Sequence, residues 1–217
     1  MHYHILPSIL SADLTRLGEE VDAVMQAGAD MIHFDVMDNH YVPNLTFGPI
    51  LCQNLRTRFP TLPIDVHLMV TPVDHLIEKF AEAGATRISI HPEATLHLDR
   101  SLQLIKQKGC EAGLVLNPGT SINHIQWVKQ YLDFILVMTV NPGFAGQKLI
   151  PSALHKVKEI HRKYPTIPLC VDGGIDIHTI SEAAKAGATQ FVAGSAIFTQ
   201  DNYKNTIAQL RQQLNQV

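Results

Sequence analysis

Four side chains with metal-binding chemistry fall near the carboxyl ends of three apolar segments in this sequence. They are His33 and Asp35 in DMIHFDVMD, His67 in PIDVHLMV and Asp172 in PLCVDGGI. Because side chains alternate between the two faces of a strand, His33 and Asp35 point in the same direction. Two imidazoles and two carboxylates that converge on one point predict a divalent metal site. Carboxylates beside a Lewis-acidic metal can move a proton next to a carbonyl group.

Taken singly, His33 or His67 has a competing interpretation as a core histidine bonded to a backbone carbonyl. The four residues together favour the metal, because two carboxylates buried with two imidazoles need compensation that a divalent cation gives directly. Two nitrogen and two oxygen ligands without a thiolate suit Zn, Mn, Fe(II) or Co. The ligand types do not choose among these metals.

Parallel strands are needed to bring these side chains together, and the sequence predicts them. Short apolar segments alternate with amphipathic stretches, which is the pattern of repeated βα units. The predicted strands are 4–10, 31–36, 64–69, 87–91, 111–116, 133–138, 168–172 and 190–194. The predicted helices are 13–27, 48–59, 73–83, 98–108, 121–130, 151–163, 176–186 and 201–215. Eight units favour an α/β fold of the (β/α)8 TIM barrel type, with its site at the carboxyl ends of the strands, over an open doubly wound sheet.

Composition limits the domain count and the partners. A chain of 217 residues that is 46% hydrophobic can bury one large core, so we predict a single domain, 1–217. The formal charge of −3 gives no basic surplus for a nucleic-acid partner. The N-terminal segment lacks the features of a signal peptide, and no segment is long and apolar enough to predict a membrane partner. Cys52, Cys110 and Cys170 form no CxxC pair, which is typical of reduced thiols in a cytoplasmic protein.

Three glycine-rich segments follow the last three predicted strands. They are VNPGFAGQ at 140–147, DGG at 172–174 and AGS at 193–195. Loops after strands seven and eight of a TIM barrel commonly bind phosphate, because glycine lets backbone N–H groups approach the oxygens closely. The expected phosphate contacts are Gly174, Gly194 and Ser195, beneath a flap of Gly143, Phe144, Ala145 and Gly146.

Other residues near the strand ends have two interpretations each. Met37, Met69 and Met138 are either gap-filling core residues or a soft apolar wall that keeps water from a reactive carbanion. Asp38, in the loop DNHYVPN, is interpreted as a polar turn residue, with the orientation of a metal ligand as the alternative. Cys170 shares a strand face with Asp172 one layer deeper, which favours core packing.

The sequence resembles the ribulose-phosphate 3-epimerase family in six segments that span nearly the whole chain. They are PSILSADLTRLGEE, HFDVMDNHYVPNLTFGP, DVHLMV, VNPGFAGQ, VDGGI and VAGSAIF. The resemblance implies a metal-dependent (β/α)8 barrel of the ribulose-phosphate-binding type. It implies an isomerase that interconverts D-ribulose 5-phosphate and D-xylulose 5-phosphate in the pentose phosphate pathway. It also implies a homo-oligomer, with dimer and hexamer both open.

The resemblance implies roles for the residues of this sequence that match the motifs of the family. The implied metal ligands are His33, Asp35, His67 and Asp172, and the implied acid/base pair is Asp35 and Asp172. The implied substrate-contacting residues are Ser8, His67, Gly143, Phe144, Ala145, Gly146, Asp172, Gly173, Gly174, Gly194 and Ser195. Epimerisation at C3 needs two acid/base groups on opposite faces of that carbon, one ionised and one protonated. The two aspartates come from well-separated strands and so can flank it.

Two departures from the family pattern bear on the substrate. Ala145 replaces a glycine that is common in the flap, and Thr139 stands where serine is common; both choices resemble the related allulose-6-phosphate 3-epimerases. The segments VDGGI, GSAIF and PSILSAD follow the pentose-phosphate pattern, which favours the pentose. Asn39 stands where glycine is frequent and also occurs within the family.

Other functions that the same barrel could have differ in the residues and products that they require. A Schiff-base aldolase needs a lysine at a strand end, and the sequence predicts none there. Metal-assisted decarboxylation of a sugar-acid phosphate is distinguished only by its products, because it alone releases CO2. A non-catalytic phosphosugar-binding barrel with a structural metal would not need two aspartates on facing strands.

Overall fold

Eight parallel strands form one sheet in the computed structural model, which describes residues 2–217. The strands are β1 (His4–Pro7), β2 (Ile32–Met37), β3 (Ile64–Met69), β4 (Arg87–Ile90), β5 (Glu111–Leu116), β6 (Phe134–Met138), β7 (Leu169–Asp172) and β8 (Gln190–Ala193). Their order is β1-β8-β7-β6-β5-β4-β3-β2, and a parallel bridge between Ser8 and His33 joins β1 to β2. The TIM-barrel prediction is therefore confirmed. The single-domain organisation stays a prediction.

Helices alternate with the strands and cover the outside of the barrel. They are α1 (Leu17–Gln26), α2 (Pro49–Arg58), α3 (Asp74–Glu82), α4 (Leu98–Gln107), α5 (Asn123–Val128), α6 (Pro151–Lys163), α7 (Ile180–Lys185), α8 (Ser195–Phe198) and α9 (Tyr203–Leu214). Gly28, Gly84 and Gly187 follow α1, α3 and α7 at positive φ, as expected for residues just past helix ends. Within residues 2–217, no helix is long and apolar enough to cross a membrane.

Side-chain hydrogen bonds explain two boundaries that differ from the sequence prediction. β1 ends at Pro7 and not at residue 10, because the Ser8 side chain accepts from Leu10 N and starts a 3-10 turn at Ile9–Ser11. α7 begins only at Ile180, because the Asp176 side chain accepts from the backbone N–H groups of His178 and Thr179. Short polar side chains that satisfy nearby backbone donors commonly delay a helix in this way.

The barrel interior contains both apolar and ionic layers. Phe134 and Cys170 are almost fully buried inside it, and a Cβ added to Gly113 would lie 2.3 Å from the Phe134 ring, so glycine makes room for that ring. Arg87 and Asp65 are buried in the same interior and form an ion pair with an Nε–Oδ1 distance of 2.7 Å. The sequence did not predict this ionic layer, which lies beneath the predicted metal ligands.

Candidate active site

The four predicted metal ligands come together at the carboxyl ends of β2, β3 and β7. Asp35 pairs in register with His67 on the neighbouring strand, and His33 lies two residues before Asp35 on the same strand face. Asp172 is the last residue of β7. Both histidines are fully buried, whereas Asp172 keeps 14% of its side chain exposed at the barrel mouth.

The donor atoms of these residues have the spacing of a metal site. Asp35 Oδ1 lies 3.2 Å from His33 Nε2 and 3.2 Å from His67 Nδ1. Asp172 Oδ2 lies 3.6 Å from His33 Nε2 and 3.8 Å from His67 Nδ1. Ligand atoms about 2.0–2.2 Å from a tetrahedral ion stand about 3.3–3.6 Å apart, so the residues present fit a divalent cation. The chain therefore has a His/Asp group that could hold one metal ion.

An ionic layer supports His33 from below. His33 Nδ1 lies 2.7 Å from Asp65 Oδ2, and Asp65 is paired with Arg87, which donates to Gln190 Oε1 at 2.7 Å. Burial opposes ionisation of Asp65, but the charges of Arg87 and His33 hold its pKa well below the usual range. Burial opposes protonation of His33, but Asp35 and Asp65 raise its pKa well above the ordinary value. Asp65 holds one proton on Nδ1, so a cation bound at Nε2 would replace the second proton.

A neutral histidine supports His67. His67 Nε2 lies 2.8 Å from Nε2 of His91, the residue that follows β4. Burial lowers the pKa of His67. Burial and the neighbouring His67 lower the pKa of His91 well below its ordinary value. The two imidazole ligands therefore have different partners, a carboxylate for His33 and an imidazole for His67.

The two aspartates have pKa values shifted in opposite directions. Burial and the negative charge of Asp35 raise the pKa of Asp172 to about 7. Burial also disfavours ionisation of Asp35, but the charge of His33 and hydrogen bonds from His33 and His67 lower its pKa far below the usual value. The Ser8 hydroxyl donates to Asp35 Oδ2 at 2.5 Å and further favours the ionised form. The same space is therefore faced by one carboxylate and by one carboxyl group whose pKa lies close to neutral pH.

A single cavity joins this acid pair to the glycine-rich loops. Asp35, Asp172 and Ser8 line it, and so do Met37, Met69 and Met138. The cavity is also lined by Gly143, Phe144, Ala145, Gly146, Gly173, Gly174, Gly194 and Ser195. The predicted site residues are thus brought together, with His33 and His67 buried beneath the cavity floor. The three methionines line the cavity and are also almost fully buried in apolar clusters, so both of their interpretations stay open.

The phosphate half of the cavity presents unpaired backbone donors. Within residues 2–217, the N–H groups of Gly174, Gly194 and Ser195 donate to no protein acceptor. Gly174 has a φ of +66°, and a Cβ there would lie 2.3 Å from Leu149 N, so only glycine fits. The hydroxyl of Ser11, which also lines the cavity, has no hydrogen-bond partner in the described chain.

Hydrogen bonds to neighbouring loops hold the flap. Asn44 Nδ2 donates to Gly143 O at 2.8 Å, and the Gln147 amide donates to Phe144 O at 2.9 Å. The Thr139 hydroxyl lies 2.9 Å from Asp172 O and 2.5 Å from Gly173 O, which ties the end of β6 to the loop after β7. Thr139 therefore positions backbone that lines the cavity.

The hydrogen bonds of Asp38, in the loop after β2, support its interpretation as a polar turn residue. Its carboxylate accepts from the backbone N–H groups of His40, Tyr41 and Thr71, which fixes the loop against the one after β3. Asn39 has a φ of +59°, a conformation that asparagine tolerates better than most residues. This explains why asparagine can stand where glycine is frequent.

Comparisons with known proteins agree with this geometry. The family model described as "Ribulose-phosphate 3 epimerase family" matches residues 4–198. The ribulose-phosphate 3-epimerase of Escherichia coli strain K12 is 55% identical, over 99% of this chain and 97% of that protein. The chain belongs to the ribulose-phosphate 3-epimerase family. A second member of the ribulose-phosphate 3-epimerases, from Buchnera aphidicola subsp. Acyrthosiphon pisum, is 52% identical over 98% of this chain and 95% of its own length. The resemblance drawn from the sequence motifs is confirmed.

Solved structures of proteins with low sequence identity to this epimerase family member have the same barrel fold. The 3-hexulose-6-phosphate synthase from Salmonella typhimurium has a TM-score of 0.76 at 16% identity, covering 98% of this chain and 99% of that one. KGPDC from Streptococcus mutans has a TM-score of 0.75 at 16% identity, covering 100% of this chain and 99% of that one. At these identities the similarity establishes the fold alone.

Proposed function

We propose that this protein interconverts D-ribulose 5-phosphate and D-xylulose 5-phosphate by moving a proton at C3. The observation that carries the proposal is one cavity that contains the Asp35–Asp172 pair, with opposite pKa shifts, and three backbone N–H groups that have no acceptor within residues 2–217. Membership of the ribulose-phosphate 3-epimerase family supports the reaction and the phosphosugar class.

The two aspartates have different roles in proton transfer. Asp35, whose pKa is lowered, removes the proton at C3 as a carboxylate, and Asp172, whose pKa is raised, delivers a proton to the opposite face of the same carbon from its protonated form. In the reverse direction the two residues exchange roles. The enediolate formed between the two steps carries negative charge on O2 and O3. His33, Asp35, His67 and Asp172 would hold a divalent ion, which would supply positive charge near these oxygens.

The phosphate group would bind at the loops after β7 and β8. Gly174, Gly194 and Ser195 offer backbone N–H donors, and the unpartnered hydroxyl of Ser11 lies beside Gly194, 2.8 Å from where a Cβ of that residue would stand. Four neutral donors in one place suit a phosphate dianion. Ser11 is a contact that the sequence interpretation missed, although it lies three residues after Ser8 in the same motif.

The pentose is the favoured substrate over the ketohexose. Relatives that are 52–55% identical over nearly the whole chain are ribulose-phosphate 3-epimerases. Thr139, one of the two departures towards the allulose-6-phosphate enzymes, uses its hydroxyl to bond the backbone at Asp172 and Gly173. Such a role is compatible with either substrate, so this departure does not argue against the pentose.

We extend the proposal to the metal ion, the pathway, the compartment and the oligomeric state. The ion is Zn, Fe(II), Mn or Co, the reaction belongs to the pentose phosphate pathway, and the protein acts in the cytoplasm as a homo-oligomer. Three buried, unpaired cysteines support a reducing compartment. Light scattering would distinguish a dimer from a hexamer.

An NMR assay in D2O tests the proposal directly. The protein is incubated separately with ribulose 5-phosphate and allulose 6-phosphate, and the C3 proton and the products are followed. The proposal predicts formation of xylulose 5-phosphate with deuterium at C3, and slower turnover of the hexose. Release of CO2 from a sugar-acid phosphate would favour a decarboxylase. Absence of any exchange would favour a non-catalytic phosphosugar-binding barrel.

A further inference from the structure

His91 is a fully buried histidine that the proposed reaction leaves without a role. It follows β4, the strand beside β3, and its side chain has no exposed surface. Its Nε2 lies 2.8 Å from Nε2 of His67. Its Nδ1 has no hydrogen-bond partner in the described chain. The Oε2 atom of Glu93 lies 4.0 Å from this Nδ1, which is too far for a hydrogen bond.

When a cation is bound at His67 Nδ1, the short distance between the two imidazoles fixes where their protons lie. His67 Nδ1 faces the carboxylates of Asp35 and Asp172, at 3.2 and 3.8 Å. A neutral histidine that binds a cation through Nδ1 carries its remaining proton on Nε2. That N–H points at His91 Nε2, which must therefore be the acceptor. His91 then carries its own proton on Nδ1, on the side of Glu93.

We propose that His91 is a positioning residue of the metal site, which fixes the tautomer and ring orientation of His67 by accepting a hydrogen bond from its Nε2–H. The inference rests on the proposed metal-dependent function, because it concerns a ligand of that metal. Metal-binding histidines commonly donate their second N–H to a carboxylate, a carbonyl or water. Here the acceptor is the lone pair of a second, neutral imidazole.

The surroundings of His91 keep its ring in place. The Tyr41 ring lies against it with a centroid distance of 4.7 Å, and the Tyr41 hydroxyl donates to Glu93 Oε2 at 3.4 Å. The Tyr41 hydroxyl also accepts from Asn117, and the Thr120 hydroxyl donates to the other Glu93 oxygen. This hydrogen-bonded set connects the loops after β2, β4 and β5 and holds the Tyr41 ring against His91.

Two substitutions of His91 distinguish the effect of its hydrogen bond from the effect of its packing. His91→Leu fills the space without an acceptor and leaves the His67 N–H unpaired. His91→Gln can place an amide oxygen near the position of the lost Nε2 and so restores an acceptor. Ser101→Ala is the matched control, because Ser101 is buried and bonded to Asp74 on the outside of the barrel. That control should lower the Tm and leave metal affinity unchanged.

The experiment measures zinc affinity by competition with a chromophoric chelator, after each protein has been stripped of metal and shown to be folded. We expect His91→Leu to bind zinc about 10- to 100-fold more weakly than the wild type, and His91→Gln to recover most of that loss. Wild-type affinity in His91→Leu would overturn the inference and leave the proposed function standing. Failure of the wild type itself to bind any divalent ion would overturn both.

A second measurement does not depend on the stability of a variant. Long-range ¹H–¹⁵N NMR of the zinc-loaded wild type reports which nitrogen of each histidine carries a proton. The inference predicts protons on Nε2 of His67 and on Nδ1 of His91. A proton on Nε2 of His91 would make it a donor and would overturn the inference, whatever the zinc affinity.

Discussion

The cavity has two halves that are built by different means. In the reaction half, charged side chains from β2, β3 and β7 converge, and a second layer of side chains supports them. In the phosphate half, the donors are backbone N–H groups of glycine-rich loops. Among the described residues that line the cavity, none is a lysine, an arginine or a histidine.

The difference has a physical reason. Burial and the negative charge of Asp35 raise the pKa of Asp172 to about 7 in the metal-free protein, so this carboxyl can gain or lose a proton near neutral pH. A lysine or arginine placed nearby to bind phosphate would favour the carboxylate and lower that pKa. Neutral backbone donors bind the phosphate dianion without this effect. A site that binds an anion beside a carboxyl group with a raised pKa therefore gains from glycine loops.

Removal of the metal should have the largest effect, because it acts on the reaction half as a whole. We expect turnover of ribulose 5-phosphate to fall below detection after chelation and to return on addition of Zn, Mn, Fe(II) or Co. Circular dichroism of the stripped protein is the control for folding. Full activity in protein that elemental analysis shows to be metal-free would mean that the His/Asp group has no catalytic metal.

A change in the phosphate half should affect substrate binding and leave the chemistry intact. A Cβ at Gly194 would lie 2.8 Å from Ser11 Oγ, so Gly194→Val crowds the proposed phosphate position. We expect KM for ribulose 5-phosphate to rise about 5- to 150-fold, which corresponds to about 1–3 kcal/mol of overpacking. Steady-state kinetics provide the measurement.

Two controls sharpen the Gly194 experiment. Gly119→Val changes an exposed loop glycine with no atoms within 4 Å of its added Cβ, and should leave KM unchanged. Unphosphorylated ribulose should be a poor substrate of the wild type, because it lacks the binding energy that orients the reacting carbon. Equal kcat/KM for ribulose and its phosphate in the wild type would argue decisively against a phosphate half.

The smallest expected effect concerns stability of the metal-free protein. The pKa of Asp172 is raised from 3.8 to about 7, so between these pH values the native state holds a proton that the unfolded chain has lost. The free energy of unfolding therefore falls as pH rises through this window, and the Asp172→Asn variant lacks this contribution. We expect the stability of the variant relative to the wild type to increase by about 1–2 kcal/mol from pH 6 to pH 8. Urea titrations in the presence of a chelator measure it, and a difference that does not vary with pH would contradict the assignment.

The sequence predicted the ligand cluster well because its signals are local. The two-residue alternation of His33 and Asp35, and the strand-end positions of His67 and Asp172, follow from strand geometry and parallel topology alone. The glycine segments were recognisable for the same reason, since loops after the last strands of a barrel lie at one mouth.

The supporting layer could not be predicted with equal ease because it depends on register between strands. Asp65 stands two residues before His67 and so shares its face, which was an available signal. Arg87 and Gln190 begin their strands, where polar residues resemble loop residues, and their pairing spans 103 positions of sequence. The contact of His91 with His67 likewise requires that β4 pair with β3 as it does, with Ser89 beside His67.

The most direct test of the account is the fate of the C3 proton in Asp35→Asn and Asp172→Asn variants. Asparagine nearly keeps the shape of aspartate and removes its acid/base capacity, so each variant should epimerise about 10²- to 10⁴-fold more slowly than the wild type. Metal content must be measured alongside, because both residues are proposed ligands. The account predicts that a metal-loaded variant still exchanges the C3 proton of one epimer with D2O and no longer forms the other. Epimerisation at the wild-type rate by both metal-loaded variants would contradict the two-aspartate mechanism.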